Sequence, residues 1–297
     1  MEKLDCCPIC ESAAFDHKIT CTDYTVSRET FNIVKCEHCE FKFTNPRPAQ
    51  HEIGKYYESE DYISHSNTKK GVVNSLYQLV RKYTIGKKYA LLRKYTDGNS
   101  ILDYGCGTGE FLNYCTGKGM HTTGFEPDKG ARDFGIKNYG LRITNEKELF
   151  EIKEPTFNVI TMWHVLEHVH HLKELIGWLK KALKGSGVLI VAVPNHTSFD
   201  AERYAQYWAA YDVPRHLYHF SPKNISQLFA DFDFKIIDVL PMKLDAFYVS
   251  MLSEKYKNGN SNLFSAFLTG LKSNIKASNK NHTWSSQIYV LRENGSK

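Results

Sequence analysis

Three groups of residues have types and spacings suited to chemistry. The first is the run ILDYGCGTGEFL at 101–112, where an apolar stretch ends in Asp103 and opens into Gly105, Gly107 and Gly109. Glycines at alternate positions let a ligand approach the backbone, but their spacing is not the G-x-G-x-x-G of a dinucleotide loop. A carboxylate at the strand exit is a poor neighbour for pyrophosphate and a good one for a cation. The following run TTGFEPD ends a second strand in Glu126, about 20 positions beyond Gly105, a placement that accepts hydrogen bonds from ribose hydroxyls. Ribose plus cation without pyrophosphate describes S-adenosylmethionine.

The second group lies in MWHVLEHVHH, with His164, Glu167 and His168 at i, i+3 and i+4, so that one helical turn would bring all three to one face. Downstream, AAYDVPRHLYHFSP supplies His216 and His219 after a fifth strand, at the carboxyl end of the sheet where open α/β folds bind ligands. Three roles are open to this cluster. It can brace the loop, a histidine can take a proton from an acceptor, or histidines with a carboxylate can hold a divalent ion. The third group is Cys7-Pro-Ile-Cys10 and Cys36-Glu-His-Cys39, two C-x-x-C knuckles whose four thiolates would close a tetrahedral, structural zinc site. Cys6 is an adjacent substitute ligand, whereas Cys21, Cys106 and Cys115 have no partner spacing and read as buried small residues.

The glycine run and the acidic end of the second strand resemble the class I S-adenosylmethionine-dependent methyltransferases. The resemblance covers about 75–240 and 285–292 and implies that Asp103, Tyr104, Gly105, Cys106, Gly107, Gly109 and Glu126 bind the cofactor, with Trp163 and His164 on the pocket wall and Met162 beside the adenine. It implies catalytic roles for His164, Glu167, His168, His216 and His219. The Glu-His pair is similar to that of small-molecule O-methyltransferases of quinone biosynthesis. Some RNA-terminal methyltransferases hold a metal with E-x-x-E-H and a later histidine; His164 here replaces the first glutamate, which would favour Zn, Mn or Fe over Mg. Zinc-bearing N-termini occur both in sugar-nucleotide C-methyltransferases and in some ribosomal-RNA methyltransferases. The expected function is methyl transfer to O or C of a small-molecule or glycan-precursor acceptor. RNA is the alternative acceptor, and a non-catalytic cofactor-binding or zinc scaffold is the alternative of another class.

These groups need elements to position them. Strand patterns at ILDY, TTGF, 141–143, NVITMW, VLIVAV, FKIIDV and SQIYVLR, with helices between the first five, predict an α/β, doubly wound, seven-stranded Rossmann-like sheet with an antiparallel edge. The run LKELIGWLKKALKG predicts an amphipathic helix closed by Gly185. The expected organisation is a zinc ribbon over 1–48, a linker and helical lid over 49–95, and a cofactor-binding domain over 96–297 with a two-helix insertion at about 241–282. Tyr56, Tyr57, Tyr62 and His65 then lie over the active site or pack ribbon against domain. The 297 residues, 42% hydrophobic, suffice for a full core, and 38 basic against 33 acidic residues leave only +5, too mild an excess to favour nucleic acid. No stretch approaches the roughly 18 apolar residues of a membrane span, and the N-terminus lacks the apolar core of a secretory signal. A cytoplasmic protein is expected, and nothing in the sequence bears on its oligomeric state.

Overall fold

The computed structural model describes residues 1–58, 72–152, 154–260, 262–279 and 283–295, with the backbone alone over 72–82. Tyr62 and His65 lie outside the described residues. The N-terminal segment carries strands β1 (Phe15–Thr22), β2 (Thr30–Cys36) and β3 (Lys42–Thr44), paired antiparallel. Strands β4 (Ser100–Tyr104), β5 (His121–Phe125), β6 (Ile143–Thr144), β7 (Phe157–Trp163) and β8 (Leu183–Pro194) run parallel to one another. The chain then forms β9 (Tyr218–His219), β10 (Phe234–Pro241) and β11 (Ser286–Glu293).

The larger sheet has the order β10-β11-β8-β7-β4-β5-β6, with β11 antiparallel to both neighbours, so the doubly wound, seven-stranded architecture is present with its antiparallel edge. Its central strands are buried on both faces, which explains their near-continuous apolar runs. Leu102, Ile160, Met162 and Val191 pack into one core, and Ile101, Val159, Ile190 and Ala192 into the core on the opposite face, the period-two alternation of a pleated strand. Burial of each such Leu, Ile or Val is worth about 1.5–3 kcal/mol. The helix Leu172–Ala182 buries Leu172, Leu175, Ile176 and Leu179. It stops before Gly185, because Leu183 already pairs with Phe157 at the start of β8, so the strand ladder overrides the glycine stop signal. No helix among the described residues is long and apolar enough to cross a membrane.

The ribbon does not stand apart from this sheet. Its four-stranded sheet has the order β1-β2-β3-β9, so its last strand comes from residues 218–219, with Lys42 opposite His219 and Phe43 opposite Tyr218. Cys7, Ile9, Phe41 and Phe43 share one core with Tyr218, Phe220, Leu172 and Leu175. At the seam Arg47 Nη1 donates to the Tyr218 hydroxyl (2.9 Å) and Asn224 Nδ2 donates to the Cys39 carbonyl (3.1 Å). Two helices, Asp245–Asn258 and Leu263–Asn279, follow β10 and pack on each other before β11.

Candidate active site

The glycine loop leaves β4 at the carboxyl edge of the sheet. Gly105, Gly107 and Gly109 all have positive φ (77°, 55° and 84°), a conformation that L side chains rarely adopt. The surroundings of the first two differ. A Cβ on Gly105 would lie 2.5 Å from Val165, so that glycine is needed for packing, whereas a Cβ on Gly107 would meet nothing within 4 Å. Gly107 thus borders open space, as a glycine against a ligand must.

Asp103, near the end of β4 just before the loop, is buried, and Thr161 Oγ1, on the neighbouring strand, donates to its Oδ1 at 2.6 Å. Burial pushes the Asp103 carboxyl up to about 6, and the Thr161 hydrogen bond and Lys88 only partly oppose it. Glu126 Oε2 accepts from Gly107 N (2.8 Å) and Oε1 from Asp128 N (3.0 Å). Burial raises its carboxyl too, against those backbone donors. Trp163 lies 4.3 Å below the Lys88 ammonium, and its indole Nε1 is buried without a partner. Two carboxylates, an open glycine and an orphaned indole donor form a lining that fits a cationic ligand bearing hydroxyls. Tyr104 and Cys106 are buried, and Met162 is fully buried in the core.

The histidine cluster forms one strand over, by a local geometry that differs from the expected helical turn. His164 takes a left-handed φ of 57°, and only Leu166–His168 winds into a 3-10 turn. His164 Nε2 pairs with Asp245 Oδ2 at 3.0 Å and its Nδ1 lies 3.5 Å from Glu167 Oε1. Burial opposes its charging, but the two carboxylates prevail and hold the imidazole up to about 10, so it is an imidazolium at neutral pH. Glu167 is fully buried, and neither of its oxygens has a hydrogen bond of normal geometry. Burial alone would raise its carboxyl; the imidazoles of His164, His216 and His168 outweigh that and lower it.

His168 Nδ1 lies 3.0 Å from the Arg215 carbonyl and 2.9 Å from the Tyr57 hydroxyl. A carbonyl only accepts, so the proton resides on Nδ1 and the lone pair on Nε2. His216 is oriented in the same way, its Nδ1 donating to the Ala210 carbonyl at 2.9 Å, while its Nε2 lies 4.0 Å from Glu167 Oε1 and 3.9 Å from Asp212 Oδ2. Burial and the neighbouring His216 depress His168 to about 4, keeping it neutral. A ring nitrogen of His168, one of His216 and an oxygen of Glu167 fall within 4.8 Å of one another. The structure thus brings together His164, Glu167, His168 and His216. His219 is placed elsewhere: it is buried in β9 with Nε2 3.1 Å from Thr44 Oγ1, and burial holds it well below the usual imidazole range.

Four contributors were not singled out by the sequence. Asp212 and Arg215 sit inside the AAYDVPRH run. Arg215, 1% exposed, pairs with Asp212 (2.6 Å) and with Asp23 of the ribbon (3.0 Å), fixing the loop that carries His216. Thr161 occurs in the β7 pattern without a distinguishing mark. Asp245 comes from the helix after β10, and no local signal points from it to His164. Of the tyrosines, Tyr57 reaches His168, whereas Tyr56 is buried and donates to Glu29. At the N-terminus Cys7, Cys10, Cys36 and Cys39 gather, with Sγ–Sγ separations of 3.5 Å for Cys7–Cys39 and for Cys10–Cys36. Thiolates about 2.3 Å from a tetrahedral zinc stand slightly under 4 Å apart, so the four sulfurs fit such an ion.

Residues 77–239, more than half of the chain, match the family model described as a methyltransferase domain. The chain belongs to that family. The protein is therefore a methyltransferase by family. Among solved structures, the methyltransferase is similar to geranyl diphosphate C-methyltransferase from Streptomyces coelicolor A3(2), with 14% identity and a TM-score of 0.51 over 80% of this chain and 86% of that one. It is also similar to a SAM-dependent methyltransferase from Archaeoglobus fulgidus, with 18% identity and a TM-score of 0.49 over 72% and 94%. At these identities the first likeness speaks to the fold alone. No curated protein matches the methyltransferase.

Proposed function

We propose that the methyltransferase modifies oxygen or carbon of a small-molecule or glycan-precursor acceptor, holding S-adenosylmethionine between Asp103, Gly107 and Glu126. The observation that carries this reading is the pairing of a buried, acceptor-only carboxylate at Asp103 with open space at Gly107. When bound, that cofactor supplies an electrophilic methyl group on a cationic sulfur. Glu126 suits the ribose hydroxyls, and Trp163 offers an indole donor at the wall. Such a displacement is governed by positioning, and a base contributes only where the acceptor must lose a proton. His216 suits that role, with its Nδ1 held by the Ala210 carbonyl and its Nε2 turned toward the Glu167 and Asp212 carboxylates at 4.0 and 3.9 Å. His164, an imidazolium near neutrality, is a donor and not a base. The mild charge supports a small acceptor over RNA.

A second reading of the cluster is favoured by one observation. His168 and His216 both spend their Nδ1 protons on backbone carbonyls, the orientation in which outer-shell carbonyls fix metal-binding imidazoles, and the buried Glu167 carboxylate between them lacks a hydrogen bond. These three residues would hold a divalent ion of the Zn, Mn or Fe type, which would acidify an acceptor hydroxyl. The four cysteines would hold a structural zinc. Calorimetric titration with S-adenosylmethionine and its demethylated product, with NAD as control, tests the cofactor reading: both should bind and NAD should not. Metal analysis of the purified chain tests the rest. One zinc per chain is expected from the cysteines, and a second metal lost in His216→Ala would favour the metal reading over the base.

A further inference from the structure

A cleft of about 390 Å³ opens between the ribbon and the carboxyl end of β8. Lys18 of β1, Lys35 of β2, Lys42 of β3 and Lys223 of the helix Pro222–Ala230 line it. Two of the four cations are already matched: Lys35 and Lys223 bind opposite oxygens of the exposed Glu40 carboxylate, at 2.8 and 3.0 Å. Glu202 also lines the cleft.

Lys42 differs from the others. It is half-buried, has no ion-pair partner among the described residues, and its Nζ donates to the His196 ring at Nδ1, 3.2 Å away. The other ring nitrogen of that histidine, Nε2, is buried without a partner. Burial, with Lys18 and Lys35 nearby, depresses the Lys42 ammonium to about 8. An ammonium removed from water without a counter-charge is costly, and its hydrogen bond among the described residues goes to an imidazole and not to a carboxylate. Lys18 and Lys35 stand around that cation, and the four lysines of the lining outnumber its two carboxylates, Glu40 and Glu202, so the cleft carries a net positive charge suited to an anion.

Its position matters as much as its charge. Lys42 pairs across the β3–β9 ladder with His219, which lies in the fields of both His216 and His196. The cleft is therefore separated from the Glu167–His168–His216 cluster by the buried His219 layer, on the same carboxyl-end side of the sheet. Its volume falls within the range of small-molecule sites and exceeds what a bare phosphate fills.

We propose that this cleft is a phosphate-binding subsite, with Lys42 as its central cation, which selects small-molecule acceptors carrying a phosphate or diphosphate group. The assignment rests on the small-acceptor reading above and narrows its substrate class.

The test is calorimetric titration of the full chain with inorganic pyrophosphate, glucose 6-phosphate and uridine diphosphate, with S-adenosylmethionine titrated separately. One pyrophosphate should bind per chain, and at least one of the two organic phosphates should bind more tightly than pyrophosphate. Lys42→Gln should weaken phosphate binding tenfold or more. Lys18→Gln, a change at an exposed strand position that leaves the core intact, should weaken it severalfold. Both variants should bind S-adenosylmethionine as the wild type does. Absence of pyrophosphate binding, or equal affinity in both variants, overturns the subsite. Pyrophosphate binding tighter than both organic phosphates overturns the acceptor role in favour of a free inorganic anion. A single-stranded RNA decamer that displaces pyrophosphate at hundredfold lower concentration overturns it in favour of RNA. Failure of S-adenosylmethionine binding alone refutes the cofactor reading and leaves the phosphate result standing.

Discussion

The Asp103 carboxylate carries opposing demands. Its carboxyl is raised from 3.8 to about 6 because burial disfavours the anion. In the free protein this is a cost, fully present above about pH 6 and relieved as the pH falls from there toward 3.8. A cationic ligand reverses the balance by favouring the charged form. Affinity for S-adenosylmethionine should therefore be flat above about pH 7 and fall below about pH 6, approaching tenfold per unit. Asp103→Asn should bind weakly at every pH with this dependence lost, while the free variant melts no lower than the wild type at pH 7. A wild-type affinity unchanged between pH 7 and 5 would refute the assignment. The glycines give a second contrast. Gly107→Ala places a methyl in open space at φ +55°, so it should cost roughly 1–2 kcal/mol in stability and far more in cofactor affinity. Gly105→Ala meets Val165 at 2.5 Å and should lower the melting temperature more than Gly107→Ala does.

The helix Asp245–Asn258 and the loop 212–216 carry residues that only packing brings to the cluster. Asp245 holds His164 Nε2 from a helix inserted after β10. Asp245→Asn removes the carboxylate that most favours the imidazolium, so the His164 titration followed by NMR should move down from about 10. An unmoved titration would show that Glu167 alone sustains it. The loop depends on a buried triad in which Arg215 bridges Asp212 and the ribbon's Asp23, and its Nη1 donates to the Tyr56 carbonyl at 2.8 Å. Breaking a buried pair strands a charge, so Arg215→Met should destabilise by about 3–5 kcal/mol in denaturant unfolding. Asp23→Asn should reproduce part of that loss from the ribbon side. Neither contact follows from local pattern, because periodicity reports which face of an element is buried and not what it meets there.

Over the whole molecule, ribbon and catalytic sheet are joined through β9. The ribbon's last strand is two residues from the loop that carries His216, and the cysteine knuckles share a core with the helix Leu172–Ala182. Removing a zinc held by the four cysteines should therefore affect more than the ribbon. Chelation, or Cys36→Ser, is expected to lower the melting temperature of the whole chain in one transition and to impair methyl transfer, although no cysteine of the knuckles lies at the glycine loop. Two separate transitions in calorimetry, the second unchanged from wild type, would show that the ribbon folds independently.

Much of this protein was legible in its sequence, because the relevant signals are local. Near-continuous apolar runs bounded by polar segments mark strands with both faces in core, so the seven strands were legible in the local pattern. The glycine loop, Asp103 and Glu126 were readable because a turn with positive φ and an acidic strand end are properties of consecutive residues, and the paired C-x-x-C knuckles were readable for the same reason. The tertiary structure decided how the histidines divide. His164, Glu167 and His168 converge through a left-handed residue and a 3-10 turn, and His216 joins them, while His219, three residues later, is drawn into the β3–β9 ladder. That ladder, the Asp245 contact and the Asp23–Arg215–Asp212 triad join residues distant in sequence. Their energies depend on burial and on the dielectric around each charge, which exist only once the chain has closed on itself.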